Sequence, residues 1–316
     1  MGVNVVFLSI GDLLRDLARK EGFDVTEFNR QSEKRPEIDQ KLDSLLKETG
    51  KRIKENPRDN TVYLIDSRMA WNFIPESFSI RFTVDKDEAG RRAMLDASKG
   101  NEEQYSSIEE ATKKVAERTD IEVRRYKKAY GVDLNNPDNY NLVINTTGVP
   151  ISEIITTIEN CLALSKNNIS YAKLWANPGY FFPTQNVRQS ENSNYNSIKE
   201  NIEKDGFSPE KPIDAVLVDG NYFVVDGHNR IGAAFDANKH LIPYKILAKD
   251  EETSEFLPKD ITAKDFALSN YSFGSGSPYW YDYSWWEFIP GREQKVENWY
   301  ASQMNQIKNN REQNVR

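Results

Sequence analysis

Val3 to Ile10 is a short apolar run rich in β-branched residues, the pattern of a buried strand, and Gly11-Asp12 ends it. Apolar positions 13, 14, 17 and 18 then recur at helical spacing through Lys20. Phe28, Ile38, Leu42, Leu45 and Leu46 predict a second helical region over Asp24 to Glu48. Thr61 to Ile65 and Phe78 to Val84 read as strands, Glu88 to Tyr130 as charge-dense helix, Tyr140 to Ile144 as a strand and Ile151 to Leu164 as a helix. Strands alternating with helices imply βαβ units and a parallel sheet.

The polar stretch Ser165-Lys166-Asn167-Asn168 marks a domain boundary. Beyond it the pattern predicts a strand near Ser170 to Trp175, a helix from Ser197 to Asp205 and a strand from Asp214 to Val218. Asp219-Gly220-Asn221 is short enough to join that strand to Tyr222 to Val225 as a tight hairpin. A helix from Arg230 to Asn238 and a strand from Ile242 to Leu247 follow. After Asp250 the chain is poorly patterned, and it carries the aromatic run Tyr279-Trp280-Tyr281-Asp282-Tyr283-Ser284-Trp285-Trp286. The expected domains are therefore 1–164, 169–250 and an aromatic-rich extension, 251–316.

Composition narrows the class. The 316 residues are 38% hydrophobic and 29% charged, globular but polar. No apolar run approaches the ~18 residues that a membrane helix needs, and Val3 to Leu8 is too short and too uncharged upstream for a signal peptide. The single cysteine, Cys161, has no partner for an internal disulfide, which fits a reducing compartment, and the expected location is cytoplasmic. Two histidines and one cysteine do not make a zinc site of the usual kind. A formal net charge of −7 argues against nucleic acid as a partner, because neutralising phosphates supplies most of such affinity. The aromatic run is expected to pack against the second domain or a second subunit, making a homo-oligomer, since that density of exposed rings is too large a patch for a soluble monomer.

The first 160 or so residues carry Ser9-Ile10-Gly11-Asp12-Leu13-Leu14-Arg15, the strand ending Leu64-Ile65-Asp66-Ser67-Arg68, the helix start Ala89-Gly90-Arg91-Arg92, Glu117-Arg118-Thr119-Asp120 through Arg124-Arg125-Tyr126, and Tyr140 to Thr146. In this order and spacing they resemble the cytidylate kinase family. Phosphoryl transfer is mostly positioning and charge stabilisation, so cationic forks around the phosphates do the work. The resemblance implies Arg15 and Arg68 on the acceptor nucleotide, and Arg118 with Arg124 or Arg125 in a closing lid. The alternative is ion pairing with neighbouring Asp and Glu residues. No G-x-x-x-x-G-K-[ST] phosphate loop occurs, and the chain starts where the family's second strand would be. That leaves three explanations: a missing start, a degenerate domain, or a partner that fills the gap. No ATP-dependent catalysis is expected from this half alone.

The second half carries Phe181-Phe182-Pro183-Thr184-Gln185, Ile198 to Gly206, Pro212-Ile213, Tyr222 to Ala234 around Asp226-Gly227-His228-Asn229-Arg230, and Ile242 to Ile246. These residues resemble the ParB/sulfiredoxin superfamily, a small α+β domain. Gly227 permits a tight turn, the N–H groups that open the next helix form an anion cradle, and Arg230 offers a bidentate fork. The resemblance implies that Gly227, His228, Asn229 and Arg230 bind the phosphates of ATP, ADP or CTP. Asp226 would hold magnesium, and Thr184 and Gln185 would face the same pocket. The alternatives are that Asp226 caps the turn, His228 is a packed polar residue and Arg230 pairs with a carboxylate.

Within the superfamily, sulfiredoxins need a Cys in the turn, and here His228-Asn229 stand there. Chromosome-partition members add basic helices that this tail lacks. The branch that phosphorylates free serine uses a glutamate base; Gln185 lies nearest that place and cannot take a proton, and Glu191 is a candidate substitute, which leaves transfer activity open. The overall expectation is an incomplete kinase-like parallel α/β domain followed by a ParB-like domain and an aromatic tail. It would act as a magnesium-dependent, nucleotide-binding phosphotransferase on a small metabolite. The rival is a non-enzymatic, nucleotide-gated interaction protein that touches nucleic acid through a local patch.

Overall fold

A computed structural model describes residues 3–23, 25–32, 35–97, 104–184, 193–274 and 292–313. The chain is a mixed α/β protein that divides into two compact units, Met1–Asn141 and Leu142–Arg316.

In the first unit, β1 (Asn4–Ser9) and β2 (Thr61–Asp66) pair in parallel, with Asn4 opposite Thr61 and Ser9 opposite Asp66. The helix α1 (Ile10–Glu21) begins directly at the end of β1. Its start therefore includes Gly11-Asp12, which the sequence pattern reads as a break. The reason is a cap: the Ser9 hydroxyl accepts the Asp12 N–H at 3.1 Å, and Gly22 closes the helix in the left-handed conformation at φ 78°. The expected single helical region over Asp24 to Glu48 is two helices, α2 (Val25–Ser32) and α3 (Pro36–Glu55). Pro36 sits at the first turn of α3, where its missing N–H costs nothing. Ile10, Ala18, Phe28, Ile38, Leu42 and Leu46 form the core of this region.

The short helix α4 (Ala70–Phe73) and the strand β3 (Ile80–Thr83) lead to α5 (Lys86–Ala97) and α6 (Ile108–Tyr130). The last two pack closely at Gly90, where an added Cβ would lie 1.9 Å from Thr112 Oγ1.

The second unit begins at β4 (Leu142–Asn145) and α7 (Ile151–Lys166), so the division by contacts precedes the polar stretch at 165–168. The cause is pairing: β4 runs parallel to β5 (Leu174–Ala176) with Val143 opposite Leu174. The remaining elements are β6 (Phe181–Phe182), α8 (Ser193–Asp205), β7 (Ile213–Val218), β8 (Asn221–Asp226), α9 (His228–Asp236), β9 (Ile242–Lys249), α10 (Ala263–Gly274) and α11 (Arg292–Gln313). The strands lie side by side in the order β4-β5-β9-β7-β8-β6. The β7–β8 hairpin turns on Asp219 and Gly220, both at positive φ, which suits the right-handed twist of its strands.

One buried cluster joins Phe181, Ile213, Ala215 and Val224 to Ile202 of α8 and Ile231 of α9. A second joins Phe182, Val216, Val218 and Phe223 to Ala263 and Ala267 of α10, with Trp299 of α11 packed on it. The stretch after Asp250, poorly patterned in sequence, thus contributes two helices. Their signal is weak because much of α11 is polar around its circumference. The aromatic run 279–286 lies outside the described residues.

Candidate functional site

Two places gather the chemically capable side chains, one in each unit. In the first unit it is the carboxyl end of the parallel β1–β2 pair. Ser9 Oγ donates to Asp66 Oδ2 at 3.1 Å, tying the two strand ends together. Arg15 lies on the second turn of α1 and pairs with Asp12. That guanidinium first, and then the Ser9 hydroxyl, hold the Asp12 carboxyl below the usual carboxylate range. Arg68 follows β2 by two residues, and its Nε donates to Glu122 Oε2 of α6 at 3.0 Å. Both arginines remain reachable: 42% of the Arg15 side chain and 55% of the Arg68 side chain is exposed. In open parallel sheets, ligands settle in this kind of crevice at the carboxyl ends of strands.

Arg118 and Arg124 lie on α6, and Arg124 is exposed. Arg125, the alternative to Arg124 in sequence, is buried, with Nε 3.7 Å from Asp39 Oδ2 and Nη2 donating to the Tyr126 hydroxyl at 3.1 Å. Asp39 is pushed up by its own burial, with Arg125 pulling the other way. Glu122 and Asp39 were invisible to motif reasoning. The only trace of Glu122 is helical spacing, which puts it on the same turn as Arg125 and Tyr126.

In the second unit the place is the turn from β8 into α9. Gly227 has φ 105° and is buried; a Cβ there would meet Ile213 Cδ1 at 2.5 Å and Arg230 Nη2 at 3.0 Å. The backbone angle therefore demands glycine. Gly227 is the N-cap of α9 and has no side chain to cap it. Arg230 Nη1 donates to the carbonyls of Lys211 at 2.7 Å and Pro212 at 2.8 Å, while Nη2 donates to Asp226 Oδ2 at 2.8 Å.

His228 is buried, and its Nε2 accepts the Thr184 N–H at 3.1 Å. The Thr184 hydroxyl lies 3.3 Å from the same nitrogen and donates to the Val224 carbonyl at 2.6 Å. Burial lowers the His228 pKa to about 4, so the ring is neutral at neutral pH, which agrees with an accepting Nε2. Asn229 is half-buried at the first turn of α9. Gln185 and Glu191 lie outside the described residues.

For a magnesium ion the donor set at this turn is one carboxylate, Asp226, whose side chain is 74% exposed. One carboxylate plus phosphate oxygens and water suits that ion. Among the described residues no group of three or more His, Cys, Asp or Glu side chains gathers to hold a metal alone. Cys161 is buried, which pushes its thiol up to about 12 and makes it a poor nucleophile. Among the described residues no helix is long and apolar enough to cross a membrane.

Comparison with known proteins bears on the first of these places. Residues 4–148 match the model of the cytidylate kinase-like family. A cytidylate kinase of Pyrobaculum islandicum is 30% identical over 154 residues, 48% of this chain and 76% of that protein. The cytidylate kinase of Methanosphaera stadtmanae is 26% identical over 164 residues, 52% of this chain and 87% of that one. An S-adenosylmethionine-dependent nucleotide dehydratase of Lacinutrix mariniflava is 31% identical over 157 residues, 49% of this chain but 30% of its own length. No solved structure gives a significant match.

Proposed function

The chain belongs to the cytidylate kinase-like family, and from that premise we propose that it is a nucleotide-binding protein of phosphotransferase type with two nucleotide sites. The first, within residues 1–164, takes a nucleoside monophosphate at the carboxyl ends of β1 and β2. Arg15 and Arg68 bind its phosphate, and Arg118 and Arg124 of α6 approach from the lid side. The second, within residues 169–250 and of ParB-like type, holds the phosphates of ATP, ADP or CTP at Gly227 to Arg230.

The observation that carries the second site is the Gly227 turn. Here α9 opens at a glycine in the left-handed conformation, beside a guanidinium held by two carbonyls and a carboxylate. An anion is a natural complement of the N–H groups at a helix start. His228 does not act as a proton carrier in this reading. It is neutral and occupied with the Thr184 N–H, so it fixes the segment that precedes Gln185. Asp226 would hold magnesium, which when bound would supply positive charge to offset that of the phosphates. The proton of an attacking hydroxyl would go to Glu191.

Titrating the 316-residue protein with ATP, ADP, CTP and CMP by calorimetry tests the sites. Incubation with labelled nucleotide and a panel of small hydroxyl metabolites tests transfer. Tight binding with no phosphorylated product would favour the second reading, a nucleotide-gated interaction protein. The pairing of Arg15 with Asp12 and of Arg68 with Glu122 is the observation on its side.

A further inference from the structure

The β1–β2 sheet has two apolar faces. Leu8 and Ile65 turn inwards and pack on the cluster built by Ile10, Ala18, Phe28 and Leu46. On the opposite face the alternation leaves Val3, Val5, Phe7, Val62 and Leu64 exposed, at 63%, 56%, 64%, 46% and 50%. The register sets Val5 beside Val62 and Phe7 beside Leu64, so these side chains form one continuous patch. Parallel sheets are normally covered on both faces, and an isolated pair of strands is marginal in water.

We propose that a second copy of this chain covers this face, the two patches stacking about a two-fold axis. These five side chains carry no charge, and Asp66, next on the same face, lies at its end, so two copies of a chain with a formal net charge of −7 can stack the apolar part without burying a charge within it. A two-fold interface needs a surface complementary to itself, and a charge-free patch of valine, leucine and phenylalanine meets that need. The exposed apolar area is on the order of 400–500 Å², as large as the biggest patch on a typical soluble monomer. Doubled across the axis it approaches the ~1,000 Å² at which specific interfaces begin. The dimer is therefore weak and concentration-dependent. None of the five patch residues is Arg15 or Arg68.

Sedimentation equilibrium of the full chain, from low to high micromolar concentration, tests this. The wild type is expected to move from monomer to dimer mass. Phe7→Glu is expected to stay monomeric throughout with an unchanged far-UV spectrum, and Leu64→Asn to weaken association at least tenfold. If Phe7→Glu does not fold, Leu64→Asn carries the test. A wild type that remains monomeric, or a dimer that Leu64→Asn leaves undiminished, overturns the proposal. The second outcome would move the contact to another surface, such as the aromatic run at 279–286.

Discussion

Arg230 and Asp226 face each other across the first turn of α9, with Nη2 donating to Oδ2 at 2.8 Å. The pair closes the Gly227 turn from outside, and the same guanidinium anchors the carbonyls of Lys211 and Pro212. On the proposed reading, a phosphate at this helix start would meet an arginine that is oriented but shared, and would compete with one carboxylate for it.

Removing the arginine should weaken nucleotide binding by about 1.5–3 kcal/mol, the range for a hydrogen bond to a charged group. Arg230→Ala measured by calorimetry is the check, and unchanged affinity would count against the site. Asp226→Asn separates the two roles of the carboxylate. Without magnesium it should bind nucleotide more tightly than wild type, because the competitor of the phosphate is gone. With magnesium the advantage should disappear.

At the other place Glu122 holds Arg68, and on the proposed reading it would compete with the nucleotide for it. Arg68→Ala is expected to lose CMP affinity at least tenfold, and Glu122→Gln to retain or raise it. No CDP is expected from ATP and CMP through the first unit, since these 316 residues contain no G-x-x-x-x-G-K-[ST] to cradle the donor phosphates. ATP-dependent CDP formation that survives Arg230→Ala would refute that expectation.

His228 makes stability depend on pH. Its folded pKa is depressed to about 4 from 6.5, because the buried ring resists charge. Above pH 6.5 both folded and unfolded states carry the neutral ring and there is no penalty. As pH falls from 6.5 to 4 the unfolded chain takes up a proton that the folded one does not, so stability is lost through that window. At 1.36 kcal/mol per pKa unit the loss is roughly 3 kcal/mol. Urea unfolding at pH 7 and pH 5 should show about 2 kcal/mol of it, and His228→Gln should flatten the slope between them.

The helices after Asp250 cover a fully buried sheet face. Trp299 Nε1 donates to Asp219 Oδ2 at 2.8 Å, and its ring centroid lies 5.1 Å from that of Phe223. Truncation after Asp250 uncovers Phe182, Val216, Val218 and Phe223, so the shortened protein should aggregate or melt markedly lower. Trp299→Ala should cost about 3 kcal/mol at most, because the ring is partly exposed. A truncated protein that is equally soluble and heat-stable would show that these helices do not seal the core.

Local chemistry was legible in the sequence by itself. The β-branched runs gave away β1 and β2, the Asp219-Gly220 turn its hairpin, and the glycine of Asp226-Gly227-His228 a tight turn. Each rests on a few neighbouring residues, whose periodicity and backbone freedom act whatever the rest of the chain does. The tertiary structure decided the partners. Glu122 is 54 residues from Arg68, and Lys211 is 19 from Arg230, separations at which no spacing rule operates. The serine that starts α1 three residues early, the proline that divides α2 from α3, and the weakly patterned helices α10 and α11 lie between these limits. Caps and breaks are local but compete with neighbouring signals, whereas a largely polar helix such as α11 is held by the surface it covers. Burial sets the charge state of His228 in the same way, since only the packed environment removes the water that would otherwise let it protonate.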